Sequence, residues 1–134
     1  MPQEKEIIRA GQIEVRFLLE SKDSNGQLAM FEFTVPAGAK VPLPHSHAHY
    51  DETIYGLEGV LTFTVSGKPT DIAAGETCFI PRSAVHGFNN LKPANAKALA
   101  SSVHCCYEEV VFKGVLARLQ VRSVCVNIGC PKLI

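Results

Sequence analysis

Apolar and polar residues alternate with a period of two through much of the first hundred positions. Ile13, Val15, Phe17 and Leu19 alternate with Gln12, Glu14, Arg16 and Leu18. That period predicts a strand with one buried face. Ala29, Phe31, Phe33 and Val35 repeat the pattern against Met30, Glu32 and Thr34, and Leu61, Phe63 and Val65 repeat it against Val60, Thr62 and Thr64. The first two runs are joined by a polar stretch, residues 22–27, that contains Asn25-Gly26. Asn-Gly is a hairpin signal because both residues tolerate positive φ. Pro36-Ala37-Gly38 ends the second run, and Ser66-Gly67-Lys68-Pro69 turns the chain after the third. Residues 77–80 read as a short apolar strand stopped by Pro81, and residues 96–100 as another. No helical period appears before residue 100. Short strands between Gly/Pro turns predict an all-β sandwich or barrel.

The pattern changes near Ser101. The remaining stretch contains Cys105, Cys106, Cys125 and Cys130, four of the five cysteines. Residues 107–119 fit a helix weakened by Gly114, and residues 121–128 alternate without a clean polar face. The expectation is an irregular or helical extension, or a closing strand. The abrupt change of composition fits a divergent end or a shift of reading frame in the gene.

Composition narrows the function classes. A chain of 134 residues that is 46% hydrophobic and 19% charged suits one packed domain and excludes a wholly disordered one. Lys+Arg and Asp+Glu are 13 each, so no basic excess points to nucleic acid. Apolar runs such as residues 110–112 are far too short to span a membrane. The polar opening Met-Pro-Gln-Glu-Lys-Glu has no apolar signal core. A soluble cytoplasmic protein without nucleic-acid or membrane partners is expected. Five cysteines, an odd number, without CxxC spacing argue against a disulfide framework or a zinc ribbon. GxSxG, P-loop and Rossmann fingerprints are absent.

The chemistry concentrates in Pro44-His45-Ser46-His47-Ala48-His49-Tyr50-Asp51-Glu52. His45 and His47, two apart, share a face on an extended strand, and two neighbouring imidazoles can hold a divalent cation. Glu52 joins them only if the chain turns, and residues 49–51 are the expected turn. His86 lies on a later segment and can close the site from the opposite wall. Imidazoles with a carboxylate suit Fe²⁺, Mn²⁺, Ni²⁺, Cu²⁺ or Zn²⁺, and affinity alone does not choose among them. An adventitious nickel-binding patch is the competing reading of HxHxH. His49 reads as a solvated loop residue. Asp51 is a candidate acceptor that orients a ligand histidine; Arg82 reads as a solvated arginine, with a substrate carboxylate at the barrel mouth as the alternative. Phe33, Phe63, Phe79 and Phe88 are expected in the core, with one or two lining a pocket. Cys78 is expected inside the sheet, and Asn89 and Asn90 in a turn.

Two spaced motifs bring a family into view. Gly38…His45-x-His47-xxxx-Glu52-xxxxxx-Gly59 resembles the first motif of the cupin superfamily, and Gly75-xxxxx-Pro81-x-Ser83-xx-His86-xxx-Asn90 resembles the second. Residues 60–74 form the spacer. The chain departs from the pattern in two places. Six residues rather than the usual five separate Gly38 from His45, which suggests a longer turn. Ser83 stands where a glycine is usual, so the second-motif turn is expected to differ.

The resemblance implies a jelly-roll β-barrel of about six to eight strands, spanning residues 1–100, with motif 1 at 38–59 and motif 2 at 75–90. Residues 101–134 form the C-terminal extension. His45, His47, Glu52 and His86 would hold one divalent transition metal, and Glu52 would also serve as the catalytic base. Gly56 and Gly59 would let the chain bend at a barrel corner. The local sequence around both motifs resembles quercetin-dioxygenase-like cupins. It implies a metal-dependent dioxygenase acting on a small organic molecule. Alternatives on the same ligands are a non-redox isomerase or lyase, or a non-catalytic small-molecule or sugar-binding barrel. Small cupins also suggest a homodimer.

Overall fold

The computed structural model describes residues 7–104. Its nine strands, among the described residues, are β1 Ile7–Ala10, β2 Ile13–Leu19, β3 Leu28–Val35, β4 Tyr50–Glu58, β5 Val60–Val65, β6 Lys68–Ala73, β7 Thr77–Ile80, β8 His86–Asn89 and β9 Ala96–His104. They form two antiparallel sheets, one of six strands in the order β1-β2-β3-β9-β4-β7 and one of three in the order β6-β5-β8. This is the all-β jelly roll that the motifs imply.

The predicted alternation is the observed one. Val15, Phe31, Phe33, Leu61 and Phe63 are all buried between the sheets. A chain of tilted aromatic pairs crosses from one sheet to the other: Phe17–Phe31 at 5.6 Å, Phe31–Phe33 at 6.0 Å, Phe33–Phe88 at 5.3 Å and Phe88–Phe63 at 5.6 Å. Such tilted contacts add to the area each ring buries. The alternation holds through Leu18, exposed on the outer face with Arg16; a bulge between Phe17 and Leu19 then shifts the register, and Leu19 is only half-buried.

Asn25 and Gly26 both adopt positive φ, as the hairpin signal requires, next to a single 3-10 turn at Ser21–Ser24. Gly56 in β4 and Gly59 just after it form the expected corner, Gly59 with positive φ. A bulge lies between Gly56 and Glu58 against β9, and a side chain on Gly56 would collide with the Ala73 carbonyl.

β9 pairs with β3 from Ala96 to Val103 and with β4 up to His104. The strand thus continues four residues past the expected end at 100, because Ser101, Ser102 and Val103 complete both ladders. The helix or closing strand expected after Tyr107 lies outside the described residues. Among the described residues, no helix is long and apolar enough to cross a membrane.

Candidate metal centre

The two histidines of the HxH pair do not lie on a regular strand. They sit in the long connection between β3 and β4, residues 36–49, and His45 alone forms a β-bridge, to His86. The bridge is reciprocal. His45 N–H donates to the His86 carbonyl at 2.9 Å, and His86 N–H donates back to His45 at 2.8 Å. This pair of backbone bonds places the first residue of β8 beside the connection and sets the two rings 4.6 Å apart, centroid to centroid.

His47 is held from two sides. Its carbonyl accepts the Ser83 N–H at 2.6 Å, and its ring stacks on buried Tyr50 at 4.4 Å. The bend falls at residues 48–49, not at 49–51 as expected, so Tyr50 and Asp51 already belong to β4. That shift lets Glu52 face inward, paired in register with Ile80 on β7 and buried Ser102 on β9.

The result is a cluster of three imidazoles, His45, His47 and His86, whose ligand atoms all lie within 4.8 Å of one another. Glu52 Oε2 lies 3.6 Å from His47 Nε2 and 3.4 Å from His86 Nε2. Two backbone carbonyls fix the tautomers. His45 Nδ1 donates to the Leu43 carbonyl at 3.1 Å, and His86 Nδ1 to the Ala84 carbonyl at 2.9 Å. A carbonyl only accepts, so in the neutral rings Nε2 carries the lone pair. The contact of buried His86 Nε2 with Glu52 falls short of a hydrogen bond, and this nitrogen has no other hydrogen-bond partner among the described residues. A buried acceptor left this way costs stability unless something occupies it. The donor set, its tautomers and this nitrogen together fit a divalent transition metal.

Burial pushes the His45 imidazole below its ordinary pKa, against the opposing pull of the Leu43 carbonyl and Glu52. At His86 burial acts in the same direction, but the Glu52 carboxylate and the Ala84 carbonyl outweigh it and hold the ring above its ordinary value. Burial and Glu52 both push the Cys78 thiol up; Cys78 is half-buried on the side of β7 that faces the core.

Several neighbours differ from expectation. Asp51 meets Arg82 rather than a ligand histidine: it accepts from Arg82 N at 2.9 Å, Nε at 3.3 Å and Nη2 at 3.2 Å. That guanidinium holds the Asp51 carboxyl below its usual range. Arg82, read as solvated with a substrate carboxylate as the alternative, is thus engaged in binding the segment after β7 to β4. Phe79 is 60% exposed on the outer face, whereas Phe33, Phe63 and Phe88 line the cavity under the cluster. His49, by contrast, is as expected, exposed on the connecting loop and outside the cluster.

Asn90 is buried and structural. Its Nδ2 donates to the Val35 and Ala94 carbonyls, and its own carbonyl accepts the Gly38 N–H. Ser83 keeps the left-handed turn despite its side chain, with φ of 68°. Sequence reasoning missed the Tyr50 stack and the Ser83–His47 bond. Both depend on the bend at 48–49, which no periodicity reports.

The fold is a jelly-roll barrel with an interior cluster of three histidines that could hold a metal ion. The chain belongs to the family described as the cupin domain, whose profile matches residues 31–102. A stretch of 73 residues is 27% identical to quercetin 2,3-dioxygenase of Bacillus subtilis (strain 168), covering 54% of this chain and 21% of that enzyme. The chain therefore spans about a fifth of that relative's length. Among solved structures, a predicted oxalate decarboxylase from Thermotoga maritima superposes with a TM-score of 0.68 at 24% identity, covering 75% of this chain and 91% of the other. An RmlC-like cupin from Shewanella frigidimarina gives 0.64 at 21% identity, covering 75% and 85%. At these identities the likeness is one of fold.

Proposed function

We propose that the protein is a metal-dependent enzyme of dioxygenase type acting on a small organic molecule, with His45, His47, Glu52 and His86 holding one divalent transition metal. The observation that carries this reading is the cluster itself: three imidazoles and a carboxylate converge at the head of an apolar cavity in the barrel interior. A bound ion there would supply Lewis acidity toward a substrate oxygen or one-electron chemistry with dioxygen. The protein's own part is positional. The His45–His86 bridge and the Ser83–His47 bond fix the ligand backbone, and the Leu43 and Ala84 carbonyls fix the tautomers. Glu52, with one oxygen near two imidazoles, is placed to take a proton from a substrate hydroxyl or carbon acid. The similarity to quercetin 2,3-dioxygenase supports the dioxygenase reading over an isomerase or lyase.

The test is elemental analysis of untagged protein purified without chelator or nickel resin, beside His86→Ala. About one equivalent of metal, lost in the variant, is expected, followed by oxygen uptake with enolic or catecholic compounds. Metal without uptake would move the protein to non-redox chemistry. No metal after reconstitution would remove the metal reading altogether.

A further inference from the structure

The cavity beneath the cluster has two chemically opposite ends. The four ionisable side chains that line it are the proposed ligands, gathered at one end. The rest of the wall is hydrocarbon, with Phe31 and Phe33 from one sheet, Phe63 and Phe88 from the other, and Ile54 and Ile80 beside Glu52. Among the described residues that line it, none is Lys, Arg, Ser, Thr, Asn or Gln. A carboxylate, phosphate or hydroxyl pushed past the cluster would therefore lose its water and gain no partner. The hollow is also small. Its volume is about 30 Å³. That is room for roughly two or three waters.

We infer that the site takes a compact molecule with one oxygen-bearing, metal-binding end and a short, uncharged, apolar remainder. The inference rests on the metal reading above and selects within it. Sugars and dicarboxylates present a second polar group that this wall cannot satisfy. Bulky polyphenols exceed the space unless the phenylalanines move aside.

Hydroxamic acids that share one chelating head and differ in tail test this directly. Zn²⁺-loaded protein is titrated calorimetrically with acetohydroxamate, butyrohydroxamate and the monohydroxamate of succinic acid. Each buried methylene is worth about a factor of four, so butyrohydroxamate should bind about fifteenfold tighter than acetohydroxamate. The carboxylate-tailed compound should bind more weakly than either. Loaded protein that binds all three alike, or prefers the charged tail, overturns the inference and leaves the metal reading standing.

Protein that fails to load Zn²⁺ overturns the metal reading instead. The tail preference is then read on the metal-free protein, with 1-butanol and butyrate as probes and the ring resonances of Phe33, Phe63 and Phe88 as reporters. Saturable shifts with 1-butanol and none with butyrate support the inference; the reverse, or no shift with either, overturns it.

Discussion

A left-handed backbone at Ser83 costs about 1–2 kcal/mol for a residue with a side chain. The structure retains it because the Ser83 N–H reaches the His47 carbonyl from that conformation. Ser83→Gly removes the steric cost and adds some freedom to the unfolded chain. It should therefore stabilise the protein by up to about 1 kcal/mol in denaturant unfolding; destabilisation would show that the hydroxyl makes a bond of its own.

Buried His86 and half-buried His45 differ in the charge they favour. His86 is held above its ordinary pKa and His45 below it. In the metal-free protein, lowering the pH should protonate His86 first, which ring-proton NMR can follow. The stabilisation His86 gains from its charged form is full below the ordinary histidine value and is lost as the pH rises through its raised folded value. Metal binding has the opposite sign, because it needs neutral rings. Affinity should fall as the pH drops through the His86 titration. A reversed order of titration would contradict the geometry around Glu52.

Among the elements, the segment between β7 and β8 carries the most consequence. It begins with Arg82 bonded to Asp51 on β4, passes through Ser83 bonded to His47, and ends at His86. Asp51→Asn removes the charge that holds Arg82 while touching no ligand. Metal affinity should fall about tenfold, as for other losses of support behind a ligand, with the circular dichroism spectrum unchanged. An unaltered affinity would confine the pair to a surface role.

None of this segment's function is visible in the alternation of residues. Period two reports which side of a sheet a residue faces, so Phe31, Phe33 and Phe63 were legible as core. The clustered His45, His47 and His86 were legible through their type and spacing. Asp51 and Arg82 were not, because their meeting depends on the pairing of β4 with β7, which brings together residues 31 positions apart in sequence. The extent of β9 was hidden for another reason. Ser101 and Ser102 look polar, yet Ser102 is buried by its place between β3 and β4.

For the whole molecule, the core and the candidate metal centre are separable. The sheets are held by the aromatic chain and by an eight-residue ladder between β3 and β9, and neither needs an ion. Chelation should leave the far-ultraviolet spectrum intact and lower the unfolding temperature. The loss is the linkage energy of the bound metal, about 2.7 kcal/mol at a free concentration one hundred times Kd. Loss of the β spectrum on chelation would refute this.

The reciprocal bridge between His45 and His86 carries the separation one step further. Because backbone bonds set the ligands before any ion arrives, exchanging one divalent ion for another requires no refolding. Divalent affinities otherwise follow a fixed chemical order. An ion bound there would then record the metal supply of the cells that made the protein as much as any choice by the protein. Batches grown in iron-rich and zinc-rich media would share one shape and differ in chemistry.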